Sequence, residues 1–307
     1  MNQVSISPRA WAELALLSLV WGASFLAIRI ALDDIAVLTS VAHRVGWAAL
    51  ILWGVVFLRR VPLPRPPAVW GALFVMGILN NVIPFSLMAW AQLHIETGLT
   101  SILNATTAIF AVLVAALVFP DERLTARRAL GVLLGFLGVA TAIGLDTLLA
   151  FDPRSLAQLA VLTGALSYAF AGAWARRMLK DQPPILNAAG MLTGSALLIV
   201  PAAWAIDGPI RLDLAPDTLG AIAYFAVIST AFAYLLYYRV LAMAGTGNLL
   251  LCTLLIPPVA IALGALVRGE TLAPNAFFGF ACLALGLLIL DGRLWQAWHR
   301  RRAKHPS

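Results

Sequence analysis

The chain has 307 residues, of which 62% are hydrophobic and only 11% are charged, and its mean hydropathy is +0.91. Soluble domains carry about 25% charged residues, so this composition leaves too little polar surface to cover a water-soluble globule and excludes that class. The net charge of +7 does not indicate a nucleic-acid partner, because the basic residues lie in short loops and near the C-terminus, where membrane orientation signals are found.

The chain contains ten predicted membrane spans, separated by short polar turns. Each is apolar over about 20 residues, the length that an α-helix needs to cross the hydrocarbon core. The predicted spans are residues 11–30, 38–58, 68–92, 98–119, 128–146, 155–175, 184–205, 218–238, 246–267 and 272–290. We therefore expect an all-α integral membrane protein with ten transmembrane helices.

Lysine and arginine are distributed unevenly between the two sides of these spans. With the N-terminus inside, five of the 21 basic residues lie on the outer side or in the outer half of a span, which leaves 16 inside. The five outer residues are Arg29, Arg44, Arg154, Arg211 and Arg268. The positive-inside rule then places both termini in the cytoplasm, and we expect a multi-pass protein of the cell (inner) membrane.

The two halves of the chain repeat each other. Residues 103–142 align with residues 251–290 at an offset of 148, which places Glu122 on Glu270. Each copy consists of a long apolar segment, a short polar turn with the matched glutamate, and a second apolar segment that contains glycine. A duplicated half in so apolar a chain indicates a transporter that is built from two structural repeats.

Five spans in each repeat have a consequence for orientation. The first span enters the membrane from inside and its equivalent, the sixth, enters from outside, so the repeats are inverted. We expect a first repeat over residues 11–146, a second over 155–291 and a basic cytoplasmic tail over 292–307. Inverted repeats place a solute site near the midplane between them, and rocking of the halves gives alternating access.

Several short motifs occur in the order found in one transporter family. They are Trp21-Gly22-Ala23-Ser24-Phe25, Asn80-Asn81-Val82-Ile83-Pro84-Phe85-Ser86-Leu87, Ser101-Ile102-Leu103-Asn104-Ala105-Thr106-Thr107, Asp121-Glu122-Arg123-Leu124, Pro257 and Gly269-Glu270. On these motifs, residues 12–291 resemble the ten-span EamA-type branch of the drug/metabolite transporter superfamily. The resemblance implies two five-helix EamA repeats and a carrier of small metabolites, with export as the family's tendency. Relatives carry a proline near Ala108-Ile109 that is absent here, so a proline kink in the fourth span is not expected.

Arg44 is the residue that costs most to place in the membrane. It lies about eight residues, or about 12 Å, inside the second span, and a mid-helix arginine costs about 2.5–3.5 kcal/mol to insert. Either its side chain extends to the outer face near Asp33 or Asp34, or it faces a cavity and holds an anionic or carboxylate group. The neighbouring His43 points to another side of the helix, so the two residues are not expected to share a site.

Polar and aromatic residues inside the spans supply the other binding candidates. Pro84 lacks an N–H, so the carbonyl of Asn80 loses its helical partner, and such groups are tolerated at that depth only against protein or a wet cavity. The alternatives are helix–helix hydrogen bonding for the amides and interfacial anchoring for the aromatic residues. The predicted substrate-binding residues are Trp21, Arg44, Asn80, Asn81, Trp90, Asn104, Tyr234 and Tyr237.

Four further residues are predicted to have structural roles. Pro84 and Pro257 interrupt the hydrogen bonding of their helices. Glu122 and Glu270 lie at span ends close to helix starts, where the positive end of a helix dipole favours a carboxylate. Because the two glutamates occupy equivalent positions of the repeats, we expect them to act as interfacial caps.

The sequence thus predicts a transporter that moves small metabolites or drug-like solutes by alternating access, as an exporter or exchanger, with amino acids or related compounds favoured. The expected partners are the solute and the lipid bilayer, with a homodimer left open and no nucleic acid; no cofactor, metal or catalytic residue is predicted. A membrane enzyme would need converging chemical groups, and the four histidines are scattered. A non-transporting scaffold or channel is the third alternative. No Asp or Glu lies in the middle of a span, so proton coupling would require His43 or Glu13.

Overall fold

The computed structural model describes residues 7–122, 124–144, 153–249 and 252–291. Over these residues the chain forms ten helical segments, labelled α1 to α10. They are α1 Pro8–Ala31, α2 Val37–Leu58, α3 Pro67–Ala91, α4 Thr97–Val118, α5 Ala126–Ile143, α6 Pro153–Met178, α7 Pro184–Ile206, α8 (Pro216–Ala223, Tyr224–Phe232 and Ala233–Leu249), α9 Cys252–Arg268 and α10 Pro274–Asp291. The C-terminal tail and residues 145–146, which we assigned to the first repeat, lie outside the described ranges.

Eight of these described helices are long and apolar enough to cross a membrane, namely α1 to α8. The last two, α9 and α10, are apolar but shorter. The predicted ninth span was wrong at its start, because residues 246–249 belong to the end of α8. No charged residue or proline lies between Arg239 and Leu249 to stop that helix.

Two helices contain a π-helical segment, in which the backbone hydrogen bonds reach one residue further than in an α-helix. These segments are Ile78–Val82 in α3 and Tyr224–Phe232 in α8. At the offset of 147 that relates this part of the repeats, residues 78–82 correspond to 225–229, so the two segments occupy equivalent positions. Segments of this kind are frequently found at functional sites.

The two π segments are stabilised differently. In α3, Pro84 lacks the N–H that would bond the Asn80 carbonyl, and the N–H of Ile83 donates to the carbonyl of Ile78. The π segment of α8 contains no proline, and the hydroxyl of Thr230 donates to the Phe225 carbonyl five residues earlier, at 2.7 Å. In the first repeat the π segment is accompanied by a proline that removes a backbone donor. In the second repeat it is accompanied by a threonine hydroxyl that binds a backbone carbonyl.

Helix α4 is interrupted at Ala105 and Thr106, although it lacks the family's proline. The hydroxyl of Thr106 donates to the Leu103 carbonyl and that of Thr107 donates to the Asn104 carbonyl, each at 2.7 Å. The break therefore arises without a proline, because threonine hydroxyls provide hydrogen bonds that compete with regular helix geometry.

The helix contacts are symmetric between the two halves: a contact between two helices recurs between the helices that lie five positions away from each in chain order. The pairs α2–α7, α4–α9 and α5–α10 each join equivalent helices of the two halves. The α1–α9 and α1–α8 contacts correspond to the α6–α4 and α6–α3 contacts. The two halves therefore interlock, and each helix of the core packs mainly against helices of the other half.

Glycines bring α5 and α10 close together. A Cβ at Gly138 would lie 2.5 Å from the backbone nitrogen of Leu283 and 2.7 Å from the carbonyl oxygen of Gly279. A Cβ at Gly286 would lie 2.7 Å from the carbonyl oxygen of Gly131. Close backbone approach at small residues is a principal means by which helices associate in lipid, so these glycines hold the two halves together at one edge of the bundle.

Candidate functional site

Arg44 lies in the interior of the bundle, surrounded by side chains from three other helices. Its Nε donates to Thr230 Oγ1 of α8 at 3.0 Å, and its guanidinium carbon lies 3.9 Å from the ring centroid of Phe85 on α3. The phenol groups of Tyr168 on α6 and Tyr234 on α8 are within electrostatic range. A cation over an aromatic face gains about 0.5–2 kcal/mol, so the position of the guanidinium is fixed from two sides.

No carboxylate pairs with Arg44 among the residues that the structure describes. Its two Nη groups form no hydrogen bond within that part of the chain, and neither is a fully buried atom. Charged residues inside membranes almost always pair with one another or with backbone carbonyls, or face water. This guanidinium thus keeps its charge and its forked donors available in the interior.

An amide–phenol network lies beside this arginine and joins α3, α7 and α8. Asn80 Nδ2 donates to the hydroxyl of Tyr234 at 3.0 Å, and that hydroxyl donates to Asn81 Oδ1 at 3.3 Å. Asn81 Nδ2 in turn donates to Ser195 Oγ at 2.9 Å. Asn81 is fully buried, whereas Asn80 and Tyr234 retain accessible surface.

Four members of this region are enclosed by helices and still half-buried rather than fully buried, namely Arg44, Asn80, Tyr168 and Tyr234. Each of these side chains therefore has part of its surface left uncovered by the surrounding helices. We call Arg44, Asn80, Tyr168 and Tyr234 the central cluster. It is polar at its tips and aromatic on its walls, which is the combination that small-molecule sites present.

Trp21 and Tyr237 lie beside the π segment of α8. The indole Nε1 of Trp21 donates to the carbonyl of Ser229 at 3.1 Å, and the rings of Trp21 and Tyr237 are 5.8 Å apart. Trp21 of α1 therefore binds α8 next to Thr230, the residue that holds Arg44, and packs against Tyr237 of the same helix.

Trp90 and Asn104 lie elsewhere. Trp90 packs edge-on against His94, with ring centroids 4.8 Å apart, and Asn104 Oδ1 is buried without a hydrogen-bond partner in the described residues. Neither forms a hydrogen bond or ring contact with the central cluster in that part of the chain. Of the eight predicted binding residues, the structure brings Arg44, Asn80, Asn81 and Tyr234 together.

Four residues at this site were not predicted as binding residues, and they are Phe85, Tyr168, Ser195 and Thr230. Thr230 and Ser195 could have been noticed, because each is a hydroxyl residue in the middle of an apolar segment. Phe85 belongs to one of the family motifs, but its position at the site, like that of Tyr168, depends on how the helices pack.

His43 faces away from Arg44, as the sequence predicts. Its Nδ1 accepts a hydrogen bond from Trp47 Nε1 at 3.2 Å. It lines an apolar groove of about 560 Å³ between α2 and α7, together with Trp53 and Thr193. None of the four central-cluster residues lines this groove.

Ion pairs close one end of the bundle, where α1 and α9 finish. Asp33 pairs with Arg29 at 2.6 Å and with Arg268 of α9. Burial opposes ionisation of Asp33, but the hydrogen bonds and charges of Arg268 and Arg29 outweigh it and hold the pKa of Asp33 below its ordinary value. We call Arg29, Asp33 and Arg268 the Asp33 cluster.

Glu270 lies at the same end and binds the start of α4. Its Oε2 accepts from the backbone N–H of Thr97 at 2.9 Å and from the Thr97 hydroxyl at 2.7 Å. Gly264 leaves the space for this contact, because a Cβ there would lie 2.6 Å from the Thr97 hydroxyl. The glutamate thus contacts the first turn of α4, not the start of the helix that follows it in sequence. Pro257 lies buried inside α9.

A second set of ion pairs lies where α4 and α6 finish. Asp121 pairs with Arg176 at 2.6 Å, and Glu122 pairs with Arg128 at 2.9 Å and with Arg176 at 3.2 Å. We call Asp121, Glu122, Arg128 and Arg176 the Asp121 cluster. It joins α4 with α6, and the Asp33 cluster joins the equivalent helices α9 and α1.

The described residues contain no group of three or more His, Cys, Asp or Glu side chains that could hold a metal ion. The central cluster brings together a guanidinium cation, amide and phenol groups, and aromatic faces. These groups can orient and hold a small solute.

Comparison with known proteins identifies a family that the chain matches over most of its length. A family model described as the EamA-like transporter family matches residues 10–144 and 155–290. Protein PagO of Salmonella typhimurium is 24% identical over 94% of this chain and 93% of its own length. A "Probable amino-acid metabolite efflux pump" of Escherichia coli (strain K12) is 24% identical over 92% of this chain and 94% of its own length.

A solved crystal structure resembles nearly the whole chain. Its TM-score is 0.65, with 18% sequence identity and coverage of 93% of this chain and 98% of the other. At that identity the likeness shows the fold alone.

Proposed function

We propose that this chain, which belongs to the EamA-like transporter family, is a carrier that moves small metabolites by alternating access through the central cluster. The protein is a multi-pass membrane protein, and its relatives are named as transporters and efflux pumps. We propose export or exchange of amino acids or related compounds, because a relative similar over almost its whole length is named as a probable amino-acid metabolite efflux pump.

Ten membrane crossings are part of the proposal. The shortest described helix among α1 to α10 is α9, with 17 residues or about 25 Å. Transmembrane helices range from about 17 to 25 residues, so α9 and α10 reach the lower limit. The basic residues predominate on one side of this arrangement, which supports cytoplasmic termini and an inner-membrane location.

The contacts at the Asp33 end support inversion of the two repeats. Asp33 follows α1 and binds Arg268 at the end of α9, and Glu270 just beyond binds Thr97 at the start of α4. Glu96, immediately before α4, pairs with Arg154 at the start of α6 at 3.0 Å. Helix α1 therefore ends near the point where its equivalent, α6, begins, as inverted repeats require.

The observation that carries the proposal is the origin of the central cluster. Arg44 and Asn80 come from the first repeat, and Tyr168 and Tyr234 come from the second. The cluster lies at the two equivalent π segments, and in transporters the solute site is found between repeats, at places where helices are interrupted. A solute bound there contacts both halves, so its binding can be coupled to the movement of one half against the other.

Alternating access requires that each end can close while the other is open. The Asp33 cluster closes α1 against α9, and the Asp121 cluster closes the equivalent pair, α6 against α4. Both clusters are partly exposed, so their ion pairs are individually weak, about 0–1 kcal/mol. Such weak contacts can break and re-form during a transport cycle.

Reversible cross-linking of each end tests this proposal. In a background with Cys252→Ala and Cys282→Ser, the pair Asp33→Cys/Arg268→Cys is placed at one end. The pair Asp121→Cys/Arg176→Cys is placed at the other end in a separate protein. Counterflow of a pooled set of labelled amino acids and related metabolites is measured in proteoliposomes before oxidation, after it, and after reduction.

Each disulfide is expected to stop counterflow on its own, with recovery on reduction, because either end must open once in every cycle. The background protein treated with oxidant is the control. Full counterflow in either protein after its pair is cross-linked, shown by mobility on a gel, would rule out access through that end. Absence of counterflow for the whole pool by folded, unmodified protein would contradict the proposed carrier for that solute class.

A further inference from the structure

We infer that the solute bound by the central cluster is an organic anion whose carboxylate pairs with Arg44. We also infer that the net charge of the solute determines which solutes the site accepts. This inference rests on the proposed carrier function and narrows its solutes from amino acids to related carboxylates that lack a free ammonium group. It concerns a bound group, so it can be tested by binding as well as by transport.

The donors of Arg44 are arranged for a carboxylate. Its Nε is occupied by Thr230, its flat face is held over Phe85, and its two Nη groups have no partner in the described residues. A guanidinium presents two parallel N–H groups that match the two oxygens of a carboxylate. Because Thr230 and Phe85 already fix the group, little side-chain freedom is lost when the carboxylate binds.

The charge of the site favours a net anion over a zwitterion. Arg44 brings one positive charge into the interior, and no Asp or Glu of the described residues pairs with it. A monocarboxylate neutralises that charge. An ammonium group on the same solute restores the positive charge. Among the described residues around Arg44 it meets neutral acceptors, such as the Oδ1 of Asn80, in a region of low dielectric.

The walls of the site set the rest of the solute. Phe85 is buried beneath the guanidinium, and the phenol groups of Tyr168 and Tyr234 lie within electrostatic range of it. Aromatic walls favour an apolar body next to the charged group. The inferred solute is therefore a carboxylate with an aliphatic or aromatic body and with its amino group absent or blocked.

Three probes with the same phenyl ring and a similar short chain test the charge rule, namely 3-phenylpropionate, phenylalanine and 2-phenylethylamine. Their affinities for purified wild-type protein are measured at pH 7 from the change in tryptophan fluorescence, and each is then tested in counterflow. We expect 3-phenylpropionate to bind at least 10-fold more tightly than phenylalanine and 2-phenylethylamine to bind weakest. This series needs no variant, so it does not depend on the folding of a mutant.

Variants then assign the effect to Arg44. Arg44→Gln keeps hydrogen-bonding capacity without charge and is expected to weaken 3-phenylpropionate binding by about 10- to 100-fold. Arg44→Lys keeps the charge but loses the fork, so an intermediate loss is expected. Arg65→Gln removes an arginine from an exposed loop and serves as the matched control. Size-exclusion chromatography verifies that each variant is folded.

The outcomes separate this inference from the carrier proposal. The anion inference is overturned if phenylalanine or 2-phenylethylamine binds as tightly as 3-phenylpropionate or more tightly, or if Arg44→Gln binds the anion as well as wild type does. Counterflow of those solutes would still support the carrier proposal. Tight binding of 3-phenylpropionate without counterflow supports the anion site and contradicts its transport. Absence of binding by all three probes overturns the inferred site, whereas the cross-linking experiment with the metabolite pool decides the carrier independently.

Discussion

The hydroxyl of Tyr234 is predicted to couple the two halves of the protein through the amides of α3. Tyr234→Phe removes the acceptor of Asn80 Nδ2 and the donor to Asn81 Oδ1, at 3.0 Å and 3.3 Å. Interhelical hydrogen bonds in membrane proteins average about 0.6 kcal/mol by double-mutant cycles and reach about 1.7 kcal/mol. We therefore expect a coupling energy between Tyr234→Phe and Asn80→Ala in that range, or about a 3- to 18-fold effect on the unfolding equilibrium.

The assay is a double-mutant cycle on the free energy of unfolding in mixed detergent micelles. Tyr234→Phe is also combined with Thr125→Ala, which removes the hydroxyl that caps the start of α5 and shares no partner with Tyr234. Distant mutations add within about 0.3–0.5 kcal/mol, so this control cycle should show no coupling. A Tyr234–Asn80 coupling no larger than that of the control would refute the network as a link between the halves.

Three further predictions concern stability. Glu270→Gln should destabilise the protein by about 1–3 kcal/mol, because it loses charge-assisted bonds to the start of α4; an unchanged melting temperature would contradict this. Gly138→Ala should cost about 1–3 kcal/mol by forcing α5 from α10, whereas the matched Gly172→Ala, with open space around its Cβ, should be neutral or slightly stabilising; equal effects would refute the close approach. Asp33→Asn should lower the melting temperature at pH 7. The arginine partners of Asp33 lower its pKa in the folded protein from the ordinary value of 3.8. The contribution of the Asp33 carboxylate to stability is therefore complete above pH 3.8 and is lost as the pH falls through the folded-state pKa. Wild type and variant should have equal melting temperatures only in that acidic range.

The helices were predictable because the bilayer restricts the possible structures. A chain that spans lipid must satisfy its backbone groups within each helix and must place apolar residues along the whole span, so hydropathy alone located the helical segments. The boundary between α8 and α9 was missed, because it lies in apolar sequence with no charge or proline to mark it. Charge marks the ends of helices only where a loop reaches water.

The site was predictable only in part, for a related reason. Arg44, Asn80, Asn81 and Tyr234 are conspicuous because polar groups in an apolar span must find partners. Which side of a helix meets which neighbour is much less visible, because a span that is hydrophobic all round has no strong amphipathic face. The partnership of Arg44 with Thr230 depends on a π segment without a proline, and no local pattern in the sequence indicated it.

Arg44 has no carboxylate partner in the described part of the chain. Its charge therefore bears on whether the protein exchanges solutes or releases them without return. If the empty carrier must enclose Arg44 to reset, it excludes water from an uncompensated cation, at a cost bounded by the insertion penalty of about 2.5–3.5 kcal/mol. Thr230 and Phe85 offset part of that cost, whereas a bound carboxylate neutralises the charge during the loaded transition. Counterflow should therefore be faster than net efflux, by up to about 70- to 380-fold if the whole penalty acts on the empty transition. The measurement is the ratio of the two rates in the same proteoliposomes, in wild type and in Arg44→Gln at saturating solute. A ratio near one in the wild type would show that the empty carrier resets freely, and an unchanged ratio in the variant would show that another group limits the return.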